Sequence, residues 1–274
     1  MDSGFSRRCV VDTNTVRQPE PFGTDHGVIH EMIVTGRNVG ADKEFYSKLA
    51  HDIALFRRVV NFVKGNLANL NNSTPEIAAE IMGDNFHGID ALERHLGIKL
   101  SSKSKKLFLT VPFSPEVLQA CRETHMLVAC GALSLINVKH AQPGLFYVED
   151  EPWYEVMGLE FARTKVKAGW QLVRKSAVPN SSGMSWDEQN RLLEQDELVP
   201  NASVLAQAIL IHYLETRERL FKEMYVRVSD KGVLEADDSH VFLGDFFRIG
   251  LHVGDCWDGR HSLDIGLSSS RKFN

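Results

Sequence analysis

The sequence predicts an α+β protein in which a mainly helical N-terminal part precedes a mixed domain. Apolar residues recur at three- and four-residue steps over 41–64 and again over 200–221, as they do on one face of a helix. From Tyr225 onward, short alternating runs are separated by glycine and aspartate, which is typical of antiparallel strands joined by tight turns. We therefore expect at least three antiparallel strands over 225–271, packed on the 200–221 helix.

The chain is predicted to have three parts. Residues 1–27 are polar, contain two prolines and show no period, which predicts a flexible arm. Residues 28–105 are predicted to form a mainly helical N-terminal region, which begins with a short strand over 28–34 and continues with one helix over 41–64. Residues 106–274 are predicted to form a mixed α+β domain that ends in the antiparallel sheet.

Short local signals place the other helices and strands. A serine or threonine before a proline predicts a helix start at Thr74 and at Ser114, and Ser185 with Glu188 makes a capping box. Glycine predicts helix ends at positions 65, 83 and 97. Residues 170–175 are predicted to form a strand. The apolar segment 126–136 is either a buried strand or a buried helix, and both alternatives stay open.

Net charge, apolar runs and cysteine spacing argue against several classes of partner and site. A net charge of −5 argues against a nucleic-acid partner, because phosphate-binding surfaces carry a basic excess. No apolar run approaches the ~18 residues of a membrane span, and no secretory signal is recognisable, so we expect a cytoplasmic protein that makes no membrane contact. Cysteines at 9, 121, 130 and 256 show no metal-ligand spacing. We expect reduced thiols, and we predict that Cys121, Cys130 and Cys256 are unpaired and dispensable.

Several segments resemble a family of bacterial proteins to which no activity is attached. They lie at 79–89, 111–118, 121–125 and 133–136, at 170–175, 178–181 and 187–193, and at 217–221 and 225–227. The resemblance covers most of residues 44–274. It implies a shared fold and no particular chemistry.

The C-terminal part has a second resemblance. It is similar to the C-terminal part of C-type-lectin-like folds. The similarity lies in the order of its segments, which are a helix with an acidic end, a Tyr-Val-Arg strand, a glycine-rich middle, a Trp-Asp-x-Arg segment and a closing Gly-Leu-x-x-x-Arg strand. In particular, this part looks like the sulfatase-modifying-factor domains and the variable proteins of diversity-generating retroelements. In those folds, residues before the final strand form an exposed ligand-binding patch. The formylglycine-generating enzymes also need a cysteine pair, whereas this segment contains only Cys256.

The resemblance implies a ligand-binding patch at the end of the sheet. Trp257, Asp258, Arg260 and His261, which we call the sheet-tip patch, form its centre, because aromatic residues beside arginine are enriched in binding hot spots. Alternation along the preceding strands is expected to bring further side chains to the same patch. The whole predicted set is Phe246, Arg248, His252, Asp255, Trp257, Asp258, Arg260, His261 and Asp264.

Metal binding and catalysis have weaker signals. His26 and His30 have a helical spacing, but the glutamate that a zinc protease needs between them is absent. Cys121 and His125 are four residues apart, which favours structural roles over a nucleophile and its base. Carboxylates suit Ca²⁺, although their spacing here is irregular and turn-forming aspartate is the simpler interpretation. The calcium set would be Asp237, Asp238, His240, Asp245 and Asp255.

We therefore predict a non-catalytic protein that binds a protein or a small ligand at the sheet-tip patch, without a cofactor other than a structural calcium ion. Two alternatives stay open. One is an enzyme, either a hydrolase or a degenerate relative of the sulfatase-modifying fold. The other is a structural or assembly component of phage origin, which would self-associate through residues 44–82.

Overall fold

The structure, a computed structural model, describes residues 26–63, 72–147, 152–233 and 238–273. All but the last two positions of the predicted arm, and the predicted helix end at Gly65, lie outside these residues. The chain divides into two compact units, Met1–Phe56 and Arg57–Asn274. The site described below lies in the second unit.

The N-terminal helices differ from the predicted ones. Helix α1 spans His26–Asn38, so the short strand predicted over 28–34 is wrong. The three- and four-residue steps between Ile29, Met32 and Ile33 fit a helix, and this period outweighs the strand preference of the β-branched residues.

The single helix predicted over 41–64 is also wrong, because the chain is interrupted at Asp52. Helices α2 (Lys43–His51) and α3 (Ile53–Val63) flank this residue. The Asp52 carboxylate accepts a hydrogen bond from the Leu55 backbone N–H at 2.9 Å, and the Asp52 N–H donates to the Lys48 carbonyl at 2.8 Å. Asp52 thus ends one helix and caps the next.

The second unit contains both helices and strands in mixed sheets, which confirms the α+β class. Its helices are α4 Pro75–Met82, α5 Ile89–Leu96, α6 Ser102–Lys105, α7 Pro115–Cys121, α8 Leu135–Ala141, α9 Trp153–Val156, α10 Glu160–Arg163, α11 Trp186–Asn190 and α12 Ala202–Thr216, with 3₁₀ turns at Gly83–Asn85, Lys106–Phe108 and Pro143–Leu145. Its strands are β1 Phe86–His87, β2 His125–Cys130, β3 Gly169–Arg174, β4 Glu197–Leu198, β5 Tyr225–Lys231, β6 Ser239–Phe247, β7 Gly250–Trp257, β8 Ile265–Leu267 and β9 Ser270–Arg271.

The helix ends that rest on local signals are confirmed. The Thr74 and Ser114 hydroxyls accept hydrogen bonds from backbone N–H groups three residues later, each followed by proline in the first turn. Ser185 and Glu188 form the predicted capping box before α11. Gly83 follows α4, and Gly97 ends α5 with a left-handed φ of 64°.

The strands form two sheets. The five-stranded sheet has the order β1-β2-β3-β9-β4, and the four-stranded sheet has the order β7-β6-β5-β8. Strands β5, β6 and β7 are antiparallel, as predicted, whereas β8 runs parallel to β5 and β1 runs parallel to β2. The segment 126–136, predicted as either a buried strand or a buried helix, contains parts of both, because β2 ends at Cys130 and α8 begins at Leu135.

Helix α12 is the centre of the core. Every residue from Ala202 to His212 is buried, so the helix has no solvent-exposed face along this length. It contacts β1, β2 and β3 of one sheet and β5 and β6 of the other, which confirms the predicted packing of the C-terminal strands on this helix. One face of the four-stranded sheet is thereby covered, and the opposite face is left for other elements.

The thiols of the described residues are unpaired, as predicted, and all of them are buried. Cys121, Cys130 and Cys256 form no disulfide, and Cys9 lies outside the described residues. Complete burial raises the pKa of the Cys130 thiol to about 12, so it stays protonated at neutral pH. Among the residues that the structure describes, no helix is long and apolar enough to cross a membrane.

Candidate functional site

The outer face of the four-stranded sheet carries polar side chains from three strands. Val226 and Val228 alternate with Tyr225 and Arg227 along β5, and the valines are buried in the core. The register pairs Arg227 with Phe242 and Tyr225 with Gly244 on β6, and it pairs Gly244 with His252 on β7. Side chains of three strands therefore share the outer face.

One half of this face is covered by the segment that contains α11. The Trp186 ring stacks on the imidazole of His240, with centroids 3.5 Å apart and planes 15° apart. The backbone N–H of Trp186 donates to the backbone carbonyl of Asp258 at 2.8 Å. His240 is thereby buried between β6 and α11, and its Nδ1 lies 2.6 Å from the Asp258 carboxylate.

Arg227 lies in the covered half of the face and forms hydrogen bonds with the segments around it. Its side chain is fully buried, and its guanidinium donates to Gln189 Oε1 at 2.9 Å and to the Met184 carbonyl at 3.1 Å. It also donates to the backbone carbonyls of Trp257 at 3.2 Å and Arg260 at 3.0 Å. A further N–H of Arg227 points at Cys256 Sγ at 3.4 Å. The guanidinium therefore fixes the backbone of the sheet-tip patch.

The other half of the outer face is open and contains a cleft of about 440 Å³. A volume in this range is typical of small-molecule sites. We call it the tyrosine cleft, and its lining residues are Tyr147, Tyr225, Asp245, Ile249, Gly250 and His252.

The imidazole of His252 lies among three aromatic rings in this cleft. The centroid distances are 5.4 Å to Tyr147, 5.5 Å to Tyr225 and 6.0 Å to Phe242, and all three pairs are steeply inclined. Such edge-to-face arrangements are favourable for aromatic pairs. The cleft therefore has a rigid aromatic lining.

The polar groups of the tyrosine cleft form a short chain of hydrogen bonds. The Tyr225 hydroxyl donates to Asp245 Oδ2 at 3.3 Å and lies 3.3 Å from His252 Nδ1. Burial and the nearby charge of Asp245 raise the pKa of Tyr225, so the hydroxyl keeps its proton at neutral pH. Because a hydroxyl has one proton, His252 Nδ1–H is the donor in the second bond.

A backbone irregularity holds Asp245 in the cleft. Asp245 has a left-handed φ of 46°, and its N–H donates to the Met224 carbonyl at 2.9 Å. The preceding Gly244 has a φ of 151°, and a Cβ there would lie 2.1 Å from the same carbonyl oxygen. Strained backbone of this kind clusters at functional sites, and bulges re-aim side chains beside them.

The predicted site residues do not form one patch. Phe246 is fully buried, with the Tyr213 ring 5.2 Å away and the Arg219 guanidinium 4.5 Å above its own ring. The prediction that Phe246 shares a face with His252 is therefore wrong. The register shift after Gly244 inserts one extra residue into β6, which reverses the alternation and turns Phe246 towards the core.

Arg248 and His252 are also separated from the sheet-tip patch. Arg248 lies in the turn between β6 and β7, whereas Trp257 pairs with Ser239 at the opposite end of the same hairpin. The expectation that these residues border one patch with Trp257 is wrong for this reason. His252 belongs instead to the tyrosine cleft.

The remaining predicted residues lie at or near the sheet-tip end, except Asp264, which lies beside Tyr225 at the other end of β5. Trp257 is 49% exposed and Arg260 and His261 are exposed, while Asp258 bonds to His240. Asp255 accepts a hydrogen bond from the Val233 N–H at 2.9 Å. Asp264 is exposed, and its carbonyl accepts from the Tyr225 N–H at 2.8 Å.

Calcium binding stays a prediction. Asp237 lies outside the described residues, and the Asp238 carboxylate is 3.2 Å from the Lys231 ammonium. Within the described ranges, histidine, cysteine, aspartate and glutamate side chains form no group of three or more that is arranged to hold a metal ion.

Sequence reasoning missed two tyrosines of the cleft. The sequence predicts Tyr225 only as the start of a strand, although Tyr225 precedes Arg227 by two residues and so shares its face. Tyr147 reaches the cleft because its N–H donates to the Leu251 carbonyl at 3.0 Å, and no local signal in the sequence predicts this contact.

Comparison of this chain with known protein families, with curated proteins and with solved structures gives no match.

Proposed function

We propose that this protein is a non-catalytic binding protein and that it holds a small ligand in the tyrosine cleft. The observation that supports this most is the combination of a small-molecule-sized cavity with a hydrogen-bonded tyrosine, aspartate and histidine at its wall. Binding sites commonly combine apolar rings with a few convergent polar groups. The proposal includes a cytoplasmic location and a C-type-lectin-like arrangement of the C-terminal strands.

The chemistry of the cleft favours binding over the enzyme alternative. None of its described lining residues is a serine, threonine or cysteine that histidine could activate. The Tyr225 hydroxyl has a raised pKa and donates to a carboxylate, which suits a positioning role better than a nucleophilic one.

Fragment mapping tests this proposal. Neutral, cationic and anionic fragments would be screened at millimolar concentration by NMR of the isotope-labelled protein. We expect the shift changes to concentrate on Tyr147, Tyr225 and His252, and we expect His252→Leu to weaken the best fragment at least about tenfold. Leucine keeps an apolar side chain among the rings and removes the imidazole hydrogen bond.

Arg260→Ala is the matched control, because Arg260 lies at the other end of the sheet and should leave fragment binding unchanged. Fragments that bind outside the cleft, or that bind equally well to His252→Leu, would show that the cleft is not the ligand site.

A second candidate function is contact with a protein partner through the sheet-tip patch. Trp257 is 49% exposed and Leu263 is 88% exposed, on either side of Arg260, and the Arg227 guanidinium holds the backbone between them. Exposed apolar side chains beside an arginine are the composition of interface hot spots. A partner of this surface would therefore contact apolar and cationic groups together.

We expect Arg260→Ala to weaken partner binding at least about tenfold while changing thermal stability little. The side chain is exposed, and only its backbone carbonyl bonds to Arg227. Quantitative capture of partners from a cell lysate would compare the wild-type protein with Arg260→Ala and His252→Leu. Equal capture by Arg260→Ala, or a large loss of its melting temperature, would contradict the role of the patch.

A further inference from the structure

The tyrosine cleft also indicates the charge of its ligand. Building on the proposed function, we propose that the ligand is a compact organic cation of the alkylammonium class, held by the Asp245 carboxylate and by the aromatic rings around His252.

The first argument is the charge of the cleft wall. None of the ion pairs between the residues that the structure describes includes Asp245. Lys222 and Arg248 lie over the Phe247 ring at 4.9 Å and 5.4 Å, and neither forms an ion pair with Asp245 among the described residues. Asp245 therefore contributes a negative charge to the cleft that no described side chain neutralises.

The second argument is that the other polar groups also suit a cation. Asp264 lies beside Tyr225, since its carbonyl accepts from the Tyr225 backbone N–H at 2.8 Å, and its negative charge also raises the pKa of Tyr225. The Tyr225 hydroxyl donates to Asp245 Oδ2, so the polar groups at this wall are a carboxylate and the hydroxyl that is hydrogen-bonded to it. Carboxylates favour a positively charged ligand over an anion.

The third argument is the aromatic lining. Tyr147 and Tyr225 line the cleft, and the Phe242 ring lies 4.7 Å from Tyr225. The face of an aromatic ring attracts cations, and several rings together recognise quaternary ammonium groups. Aromatic rings and a carboxylate at one wall thus select the same ligand charge by two mechanisms.

Three probes of nearly the same shape test the ligand charge. Choline is a quaternary ammonium ion, 3,3-dimethylbutan-1-ol is its neutral carbon analogue, and 3,3-dimethylbutanoate is a related anion. Each would be titrated into the labelled full-length protein, with binding followed at the resonances of Tyr147, Tyr225 and His252. We expect choline to bind at least about tenfold more tightly than the neutral alcohol and the anion to bind most weakly.

Asp245→Asn is the decisive variant. Asparagine tolerates the left-handed backbone at this position and keeps the size of the side chain, so only the charge is removed. We expect it to reduce the preference for choline over the alcohol by about tenfold. Tyr225→Phe retains the aromatic ring and the Asp245 charge, so we expect it to keep most of the preference for choline over the alcohol. This variant provides a second measurement if Asp245→Asn does not fold.

The outcomes separate the two proposals. Equal binding of choline and the alcohol, tighter binding of the anion, or an unchanged preference in folded Asp245→Asn would overturn the cation inference and leave the cleft as a binding site. Failure of all three probes to bind, while other fragments bind in the cleft, would also overturn it. If no fragment of any charge binds there, the proposed function fails as well.

Discussion

Replacing Arg227 with methionine is expected to lower the free energy of unfolding by about 3–5 kcal/mol. The guanidinium is fully buried and donates to Gln189, to Met184 and to the backbone carbonyls of Trp257 and Arg260. Methionine fills a similar volume without donors, so these acceptors would be left buried without partners. Urea denaturation at neutral pH measures the loss.

Two further variants show whether the hydrogen-bond geometry is responsible. Arg227→Lys keeps a positive charge but replaces the planar fork with a point charge, so we expect it to lose most of the same stability. Arg260→Ala removes an exposed side chain and retains the carbonyl, so its stability should stay near that of the wild type. A stable Arg227→Met protein would mean that apolar packing replaces the guanidinium without cost, as it does for some buried ion pairs.

Acidification from pH 7 to pH 5 is expected to cost about 2 kcal/mol for each of two buried histidines. Burial is the main cause that lowers the pKa of His87 and of His125 to about 4. The charge of His212 adds to the effect at His87, and the charges of Arg174 and Arg271 add to it at His125. Unfolded histidine binds a proton near pH 6.5, so between these values the unfolded chain holds more protons and the folded state loses stability as the pH falls.

The histidine contributions can be separated by substitution. His87→Gln and His125→Gln remove one titrating group each, so each variant should lose about 2 kcal/mol less than the wild type between pH 7 and pH 5. Urea denaturation at both pH values gives the comparison. Burial also lowers the pKa of His212 and His240, which act in the same direction. Identical losses in the wild type and both variants would show that these histidines do not cause the acid sensitivity.

The predictions from sequence were most accurate where the signal is local. The caps at Thr74, Ser114 and Ser185 and the antiparallel strands from Tyr225 onward follow from neighbouring residues alone. The helix break at Asp52 has a local signal too, because aspartate is a common helix cap. The apolar stripe continues through this position, however, and it predicts one uninterrupted helix.

The candidate site was harder to predict because its parts meet through tertiary contacts. Whether Phe246 faces the core depends on the register shift after Gly244, and a shift of one residue turns a side chain to the other face of a sheet. The tyrosine cleft needs Tyr147 beside β7, which a contact between distant segments provides. The parallel pairs of β1 with β2 and of β5 with β8 are long-range for the same reason.

The segment 265–271 joins the two sheets of the second unit. Its first part is β8, which completes the four-stranded sheet beside β5, and its second part is β9, which lies between β3 and β4 in the five-stranded sheet. During protein synthesis the chain emerges from its N-terminal end and folds in that order. Neither sheet can therefore be completed before residues 265–271 have left the ribosome. Until then, β3, β4 and β5 each have an unpaired edge with which another nascent chain could form hydrogen bonds.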